Sequence, residues 1–408
     1  MFNLDPIIVG LEIGTSKVCA VVAEMEQNGM ATIIGVGQHS SKGVRKGEIV
    51  DPRQVSDDLR NAIVEAEQMA DVEVRSVFLG VTGNHLRGFN NRGLHPVVSA
   101  DREITEDDVE DVMKNSKAIN LPHDNHALHV VRQHFAVDGQ EGILNPVGML
   151  GAKLEANVHV VHGNWNRIQN AYRVVKGLHM NVDDVVFNGL ASSLAVLTPE
   201  QQELGVCLMD IGGGTTEYVV YSDGVVRHSG VLAIGGDHIT NDLSYGLKIT
   251  LGRAEELKIS HGSALIEGSA QGQVIRLNSE RGLPERTISM DHLRRIMSLR
   301  IEETLELIMH ELDRAEMLDY LRAGIVITGG GSRIPGIERL ASRIFQLPVK
   351  TAQPFGVAGV TTSLEQPEFS TAIGLIKFGA FQWKKMQRER SQGRSWSSGL
   401  MGLFRRVA

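Results

Sequence analysis

An apolar strand, an acid, a glycine turn and a second apolar strand occur twice in this chain, once in each half. Leu11-Glu12-Ile13-Gly14-Thr15-Ser16 aligns with Met209-Asp210-Ile211-Gly212-Gly213-Gly214, and the strands that follow end in Val21-Val22 and Val219-Val220. A duplicated unit of this kind predicts two related α/β halves. The turn chemistry agrees. Two hairpin turns facing each other across a cleft can clamp a polyphosphate from both sides. Glycine lets backbone N–H groups approach phosphate oxygens, and the hydroxyls of Thr15, Ser16, Thr215 and Thr216 add donors. Glu12 and Asp210 end their strands where they can hold the hydration shell of Mg2+, which keeps most of its waters. Lys17 can contact a phosphate as a point charge. Either turn alone also suits an ordinary hairpin with glycine at positive φ.

A third glycine motif narrows the choice. Ile325-Val326-Ile327-Thr328 reads as a buried strand running straight into Gly329-Gly330-Gly331-Ser332. Strand, triple glycine and helix offer a flat backbone surface for an adenine or ribose, with Ser332 opening the helix. The Gly-Lys-Ser/Thr of a P-loop is missing, and no Gly-x-Gly-x-x-Gly follows the first strand.

At 408 residues the chain has room for more than one domain, and a formal charge of −8 argues against non-specific nucleic-acid binding. Cys19 and Cys207 each sit in an apolar run and read as small buried hydrophobes. His123, His126, His129 and His134 invite a metal reading, but their spacing breaks at an apparent strand, and no carboxylate set completes a geometry. The N-terminus shows no basic segment followed by an apolar run, so no leader is expected. No apolar run reaches the roughly 20 residues a bilayer span needs, so any membrane contact is expected to be peripheral.

The periodicities divide the chain. Residues 1–82 and 163–198 read as one lobe, 199–360 as a second, and 361–381 as a return to the first. Asp51 and Pro52 open a helix with Val55, Leu59, Ile63 and Ala66 on one face. Residues 83–162 change character and read as an inserted αβ subdomain. It has a capping box at Thr105-Glu106-Asp107-Asp108 and a long turn from Asp138 to Gly142. The charged stretch from Glu280 to Arg286 reads as a solvated loop. Residues 382–395 read as a flexible basic linker. On residues 396–408, Trp396, Leu400, Leu403, Phe404 and Val407 share one helical face, with Arg405 and Arg406 elsewhere. Such a short segment cannot hold a helix in water, so its folding should accompany burial. Basic residues flanking a Trp/Phe/Leu face favour anionic lipid. Docking on the protein's own core and a disordered end are the competing readings.

Together the motifs resemble the superfamily of actin, the heat-shock ATPases and the sugar kinases. Within it the sequence is similar to the bacterial cell-division family FtsA. The most specific stretches are Val9 to Thr15, Asn145-Pro146-Val147-Gly148, Gly189-Leu190-Ala191-Ser192-Ser193, Asp210 to Thr215 and Ala323 to Gly330. The resemblance implies an α/β, two-lobed actin-like ATPase fold with a 1C-type insert and a C-terminal amphipathic helix. ATP and Mg2+ are its implied cofactors, with Glu255 and Lys258 on ribose and adenine. These two residues lie one helical turn apart, which also suits a plain ion pair. Its implied partners are FtsZ, further copies of the chain in filaments, later division proteins met through the insert, and anionic membrane lipid at the septum. Asn188 falls where hydrolytic relatives carry Gln or Glu to orient water; shorter and not a base, it implies slow hydrolysis at most. Two other classes share the fold: a small-molecule kinase, for which no sugar-binding carboxylate can be named, and a pilus-assembly scaffold similar to PilM, against which the basic, Trp-bearing tail speaks.

Overall fold

The structure is a computed structural model, and it describes residues 7–26, 29–266, 272–277, 286–359 and 364–391. The chain opens with an antiparallel meander of β1 (Ile7–Ile13), β2 (Lys17–Met25) and β3 (Ala31–Ser40). A small hairpin of β4 (Val44–Arg45) and β5 (Glu48–Ile49) precedes α1 (Pro52–Ala70). The Asp51 side chain caps α1, accepting from the Arg53 and Gln54 N–H groups at 3.1 Å each. Then β6 (Ser76–Val81) lies parallel to β1.

The insert follows as β7 (Arg87–Pro96), α2 (Glu106–Lys117), β8 (Asn125–Val137), β9 (Gln140–Ile143) and β10 (Lys153–Asn164). Its four strands form a separate sheet ordered β7-β10-β8-β9, with its own small core around Phe135, Leu154 and Val112. Thr105 and Asp108 form the expected capping box. The long turn expected from Asp138 to Gly142 is instead a tight reversal: Asp138 and Gly139 both take positive φ, so pairing resumes at Gln140.

The chain re-enters the first sheet through α3 (Trp165–Gly177) and β11 (Asn181–Phe187), then passes along α4 (Asn188–Val196) and α5 (Pro199–Leu204). The second half holds β12 (Val206–Ile211), β13 (Thr216–Ser222), β14 (Val225–Leu232), α6 (Gly236–Leu247) and α7 (Leu251–His261). It continues through β15 (Val274–Leu277), β16 (Arg286–Ser289), α8 (Met290–Arg314), β17 (Ile325–Thr328), α9 (Ile337–Phe345) and β18 (Val349–Thr351). Finally β19 (Ala358–Gly359) joins the edge of the first sheet, and α10 (Ser370–Ser391) packs against α4 and β1.

The sequence duplication is a topological duplication. The first sheet runs β11-β6-β1-β2-β3 and the second runs β18-β17-β12-β13-β14, each a three-stranded meander flanked by two parallel strands. Even the register repeats: Glu12 pairs with Gly80 of β6, and Asp210 with Thr328 of β17. The chain beyond Thr328 makes the triple-glycine loop, whereas the chain beyond Gly80 runs through Thr82-Gly83 into the insert. Buried on both faces, β12 serves two cores: Val206 and Leu208 join the first lobe's cluster, while Cys207, Met209 and Ile211 join the second's.

One further expectation changes. Residues 382–391, read as linker, continue α10 to Ser391. The stretch from Ala380 to Gln392 holds no glycine or proline, its lysines and arginines are good helix formers, and Trp383 packs against the first core. The residues expected to meet a membrane, Trp396, Leu400, Leu403, Phe404, Arg405, Arg406 and Val407, lie outside the described residues. Among those described, no helix is long and apolar enough to cross a membrane.

Candidate nucleotide site

Each meander closes its first hairpin with the same bond: the Gly14 N–H donates to the Lys17 carbonyl at 2.9 Å, and Gly212 N–H to the Thr215 carbonyl at 2.9 Å. The two turns meet face to face, so tightly that a Cβ on Gly213 would lie 3.1 Å from Ser16 Cβ. Among the described residues, no hydrogen bond uses the N–H groups of Thr15, Ser16, Gly213 or Gly214. Behind the turns opens a cavity of about 700 Å³.

The two hairpins line this cavity with Glu12, Gly14, Thr15, Ser16 and Lys17 on one side and Asp210, Gly212, Gly213 and Thr215 on the other. Gly329, Gly330 and Gly331 form a third wall, and Glu255 and Lys258 come from α7. A Cβ on Gly330 would meet nothing within 4 Å, so that peptide faces open space. Lys258 pairs with Glu255 at 2.6 Å and donates to Thr240 Oγ1 at 2.9 Å and the Gly236 carbonyl at 3.2 Å. The α7 pair is thereby fixed to the N-terminal part of α6, beside the second glycine turn.

Three predicted residues do not line the cavity. Gly214 packs against Thr15 and Lys46. Thr216 is fully buried and donates to the Ile234 carbonyl at 2.8 Å. Ser332 donates to the Gly329 carbonyl at 2.7 Å within a 3-10 turn, Gly330–Arg333. The helix it was expected to open starts only at Ile337, because Pro335 and Gly336 intervene.

The electrostatics are those of a site with unmet demands. Burial pushes the Glu12 carboxyl up to about 7, against the pull of Lys17, and among the described residues its Oε2 has no hydrogen-bond partner. Burial also raises Asp210, although Ser192 and Thr371 donate to its carboxylate. Among the described residues the Lys17 ammonium finds no hydrogen-bond acceptor, and it rests 3.9 Å from the centroid of the Phe369 ring. Asn188 opens α4 at the cavity wall, its buried Oδ1 unpartnered among the described residues.

Sequence reasoning missed Glu217. It stands directly opposite Asp210 in the β12–β13 register, so both side chains face the cavity. Burial, then the nearby Asp210, raises its carboxyl to about 8, and Thr82 of the first lobe donates to it. A hairpin turn of known length fixes that pairing, so the signal was present. Glu368, in a 3-10 turn just before α10, and Thr371, at the start of α10, also line the cavity and carry no local signal. The histidines form no metal site: among the described residues no suitable group of three or more ligands comes together, and His129 accepts from the Phe187 N–H at 2.9 Å.

The arrangement suits a nucleoside polyphosphate with a divalent cation. Unused N–H groups and an unpaired ammonium await anionic oxygens. Two strand-end acids held above their ordinary range could hold a cation, which would restore their charge.

Comparison with known proteins agrees with this geometry. The family model described as cell division protein FtsA matches residues 207–374, and that of the SHS2 domain inserted in FTSA matches residues 83–162. The chain is 39% identical to the cell division protein FtsA of Pseudomonas aeruginosa over 391 residues, covering 96% of this chain and 93% of that one. It is 37% identical to that of Escherichia coli K12 over 380 residues, covering 91% and 90%. Among solved structures, the PilM–PilN type IV pilus biogenesis complex superposes with a TM-score of 0.63 at 16% identity, covering 91% of this chain and 98% of that one. MreB5 of Spiroplasma citri bound to ADP gives 0.53 at 17% identity, covering 95% and 99%. The fold is thus that of the actin-like ATPases carrying an SHS2 insert. By sequence over nearly its whole length, the chain belongs to the FtsA family of cell division proteins.

Proposed function

We propose that this chain is an ATP-binding, self-assembling protein that tethers FtsZ filaments to the cytoplasmic face of the cell membrane at the division septum. In this reading it also helps recruit later division proteins through its inserted subdomain. The observation that carries the nucleotide half is the facing pair of glycine turns, with Lys17, Glu12 and Asn188 each aiming an unpartnered polar atom into one cavity.

The turns Gly14–Lys17 and Gly212–Thr215 would hold the phosphates. Gly329 to Gly331, Glu255 and Lys258 would hold the nucleoside. Glu12 and Asp210 would hold Mg2+ through its waters, and the ion would neutralise phosphate charge. Asn188 can orient a water but cannot take its proton. Glu217 is a base only when ionised, and burial keeps part of it protonated near neutral pH. Slow turnover follows, so the site serves as a clasp more than as an engine.

The membrane half rests on the sequence of 396–408. One short, glycine-containing amphipathic segment binds lipid weakly, so assembly into filaments would supply avidity. The test is co-sedimentation of purified protein and FtsZ with anionic vesicles in Mg-ATP. Full-length protein should carry FtsZ into the pellet. Deletion of 396–408 should abolish this while leaving the binding of a fluorescent ATP analogue intact; unchanged sedimentation of the deletion sinks the anchor.

A further inference from the structure

The small β4–β5 hairpin belongs to none of the motifs above, yet it sits where three parts of the molecule meet. Its tip, Lys46-Gly47, takes positive φ at both residues. The Gly47 N–H donates to Thr15 Oγ1 of the first phosphate turn at 2.9 Å. Having accepted that bond, the Thr15 hydroxyl keeps its own proton for an anionic oxygen in the cavity. The same tip touches the second turn: a Cβ on Gly214 would lie 2.9 Å from Lys46 Cα, and one on Gly47 would lie 3.0 Å from Thr215 Cγ2. It also abuts Thr82, which bonds Glu217 across the cleft.

The next residue faces the other way. Glu48 pairs with Arg167 at 2.6 Å, in the first turn of α3, where the chain leaves the insert. Its side chain also passes Gly83, where the chain enters the insert; a Cβ there would lie 3.1 Å from Glu48 Cγ. The two roots touch each other, since a Cβ on Gly163 would lie 2.7 Å from His85 Nδ1. One hairpin of six residues therefore contacts both phosphate turns at its tip and both roots of the insert at its exit.

We propose that the Lys46-Gly47 tip is a positioning element of the nucleotide site, and that Glu48 relays closure of the two phosphate turns to the roots of the inserted subdomain. This rests on the reading of the cavity as a nucleotide site. The element with two arrangements is the cleft itself, closed when Ser16 meets Gly213 and open when the lobes part. Parting moves Thr15 away from Gly214 and frees the tip, and the insert's roots move with Glu48. Both partners of the Glu48–Arg167 pair are partly exposed, so it contributes little to stability and its loss should not unfold the protein.

Hydrogen–deuterium exchange of the full-length protein, with and without Mg-ATP, tests this. In the wild type, ATP should slow exchange at residues 12–17 and 210–216 and also at the roots, 83–96 and 153–167. Glu48→Gln should bind a fluorescent ATP analogue within about twofold of wild type. It should keep the change at both turns and lose it at the roots. The charge swap Glu48→Arg with Arg167→Glu should restore it. Gly47→Ala, strained at positive φ and 2.7 Å from Thr82 Cγ2, should weaken ATP binding about tenfold or more. Root protection that persists in Glu48→Gln overturns the relay, as does a wild type whose turns respond while its roots do not. Turns that never respond overturn the nucleotide reading, and the relay with it.

Discussion

Lys17 offers a perturbation whose two consequences have opposite signs. Among the described residues its ammonium is buried without a hydrogen-bond acceptor, and its compensation within the protein is the Phe369 ring at 3.9 Å together with attraction to the nearby Glu12 and Asp210 carboxyls. An unmet buried charged donor costs about 1–3 kcal/mol or more, and a cation–π contact returns roughly 0.5–2 kcal/mol of that. Methionine fills similar space without the charge. Lys17→Met should therefore leave the nucleotide-free protein as stable as wild type or up to about 1 kcal/mol more stable. Bound ATP would meet the lysine with charge-assisted bonds worth about 1.5–3 kcal/mol, so the same change should weaken ATP binding roughly tenfold to a hundredfold. Urea unfolding without nucleotide measures the first quantity, and equilibrium titration with a fluorescent ATP analogue in Mg2+ measures the second. A variant that loses more than about 1 kcal/mol of stability yet keeps its affinity would make Lys17 a structural residue and refute the reasoning.

Three further outcomes are expected. Gly213→Val would drive a side chain into Ser16, parting the phosphate turns; ATP affinity should fall about tenfold or more in titration while the urea midpoint stays near wild type. If Lys258 serves the nucleoside end, as proposed, Lys258→Ala should weaken ATP roughly tenfold yet barely change the competition constant of inorganic tripolyphosphate; equal losses for both ligands would move it to the phosphates. Burial holds His129 down at about 3, below the roughly 6.5 of an unfolded imidazole, so the unfolded chain takes up that proton first as pH falls. Its contribution is complete above about pH 6.5 and is lost towards pH 3, by at most about 1.4 kcal/mol per unit. In His129→Gln that loss is absent, so the stability of wild type relative to the variant should decline between pH 7.5 and 5; a constant gap in urea midpoints would contradict it.

What the sequence made legible was local and repeated. The acids Glu12 and Asp210, the turns behind them and the triple glycine declare themselves because each motif is contiguous. Asp51-Pro52 and Thr105 to Asp108 likewise announce helices within four residues. The β4–β5 hairpin did not, because two-residue strands carry no periodicity. Strand β7 has no apolar run or alternation to mark it, and it is held as a strand by pairing with β10 from Lys153 to His162. Thr371 reaches Asp210 across 161 positions, a distance no local pattern encodes. Residues 382–391 misled through composition: a run of basic residues suggested a linker, although nothing in it breaks a helix and Trp383 gives it a core to rest on.

The duplicated sheets give the molecule two equivalent sockets, one beyond β6 and one beyond β17. The socket after Thr328 faces a cavity open to a visitor that diffuses in and out. The socket after Gly80 holds a passenger joined by peptide bonds, which can never leave. Only one of the two can therefore carry information by being filled or empty; the other can carry it only by changing its angle. A foreign domain with closely spaced termini, spliced at Gly83 and Gly163, would inherit that same lever.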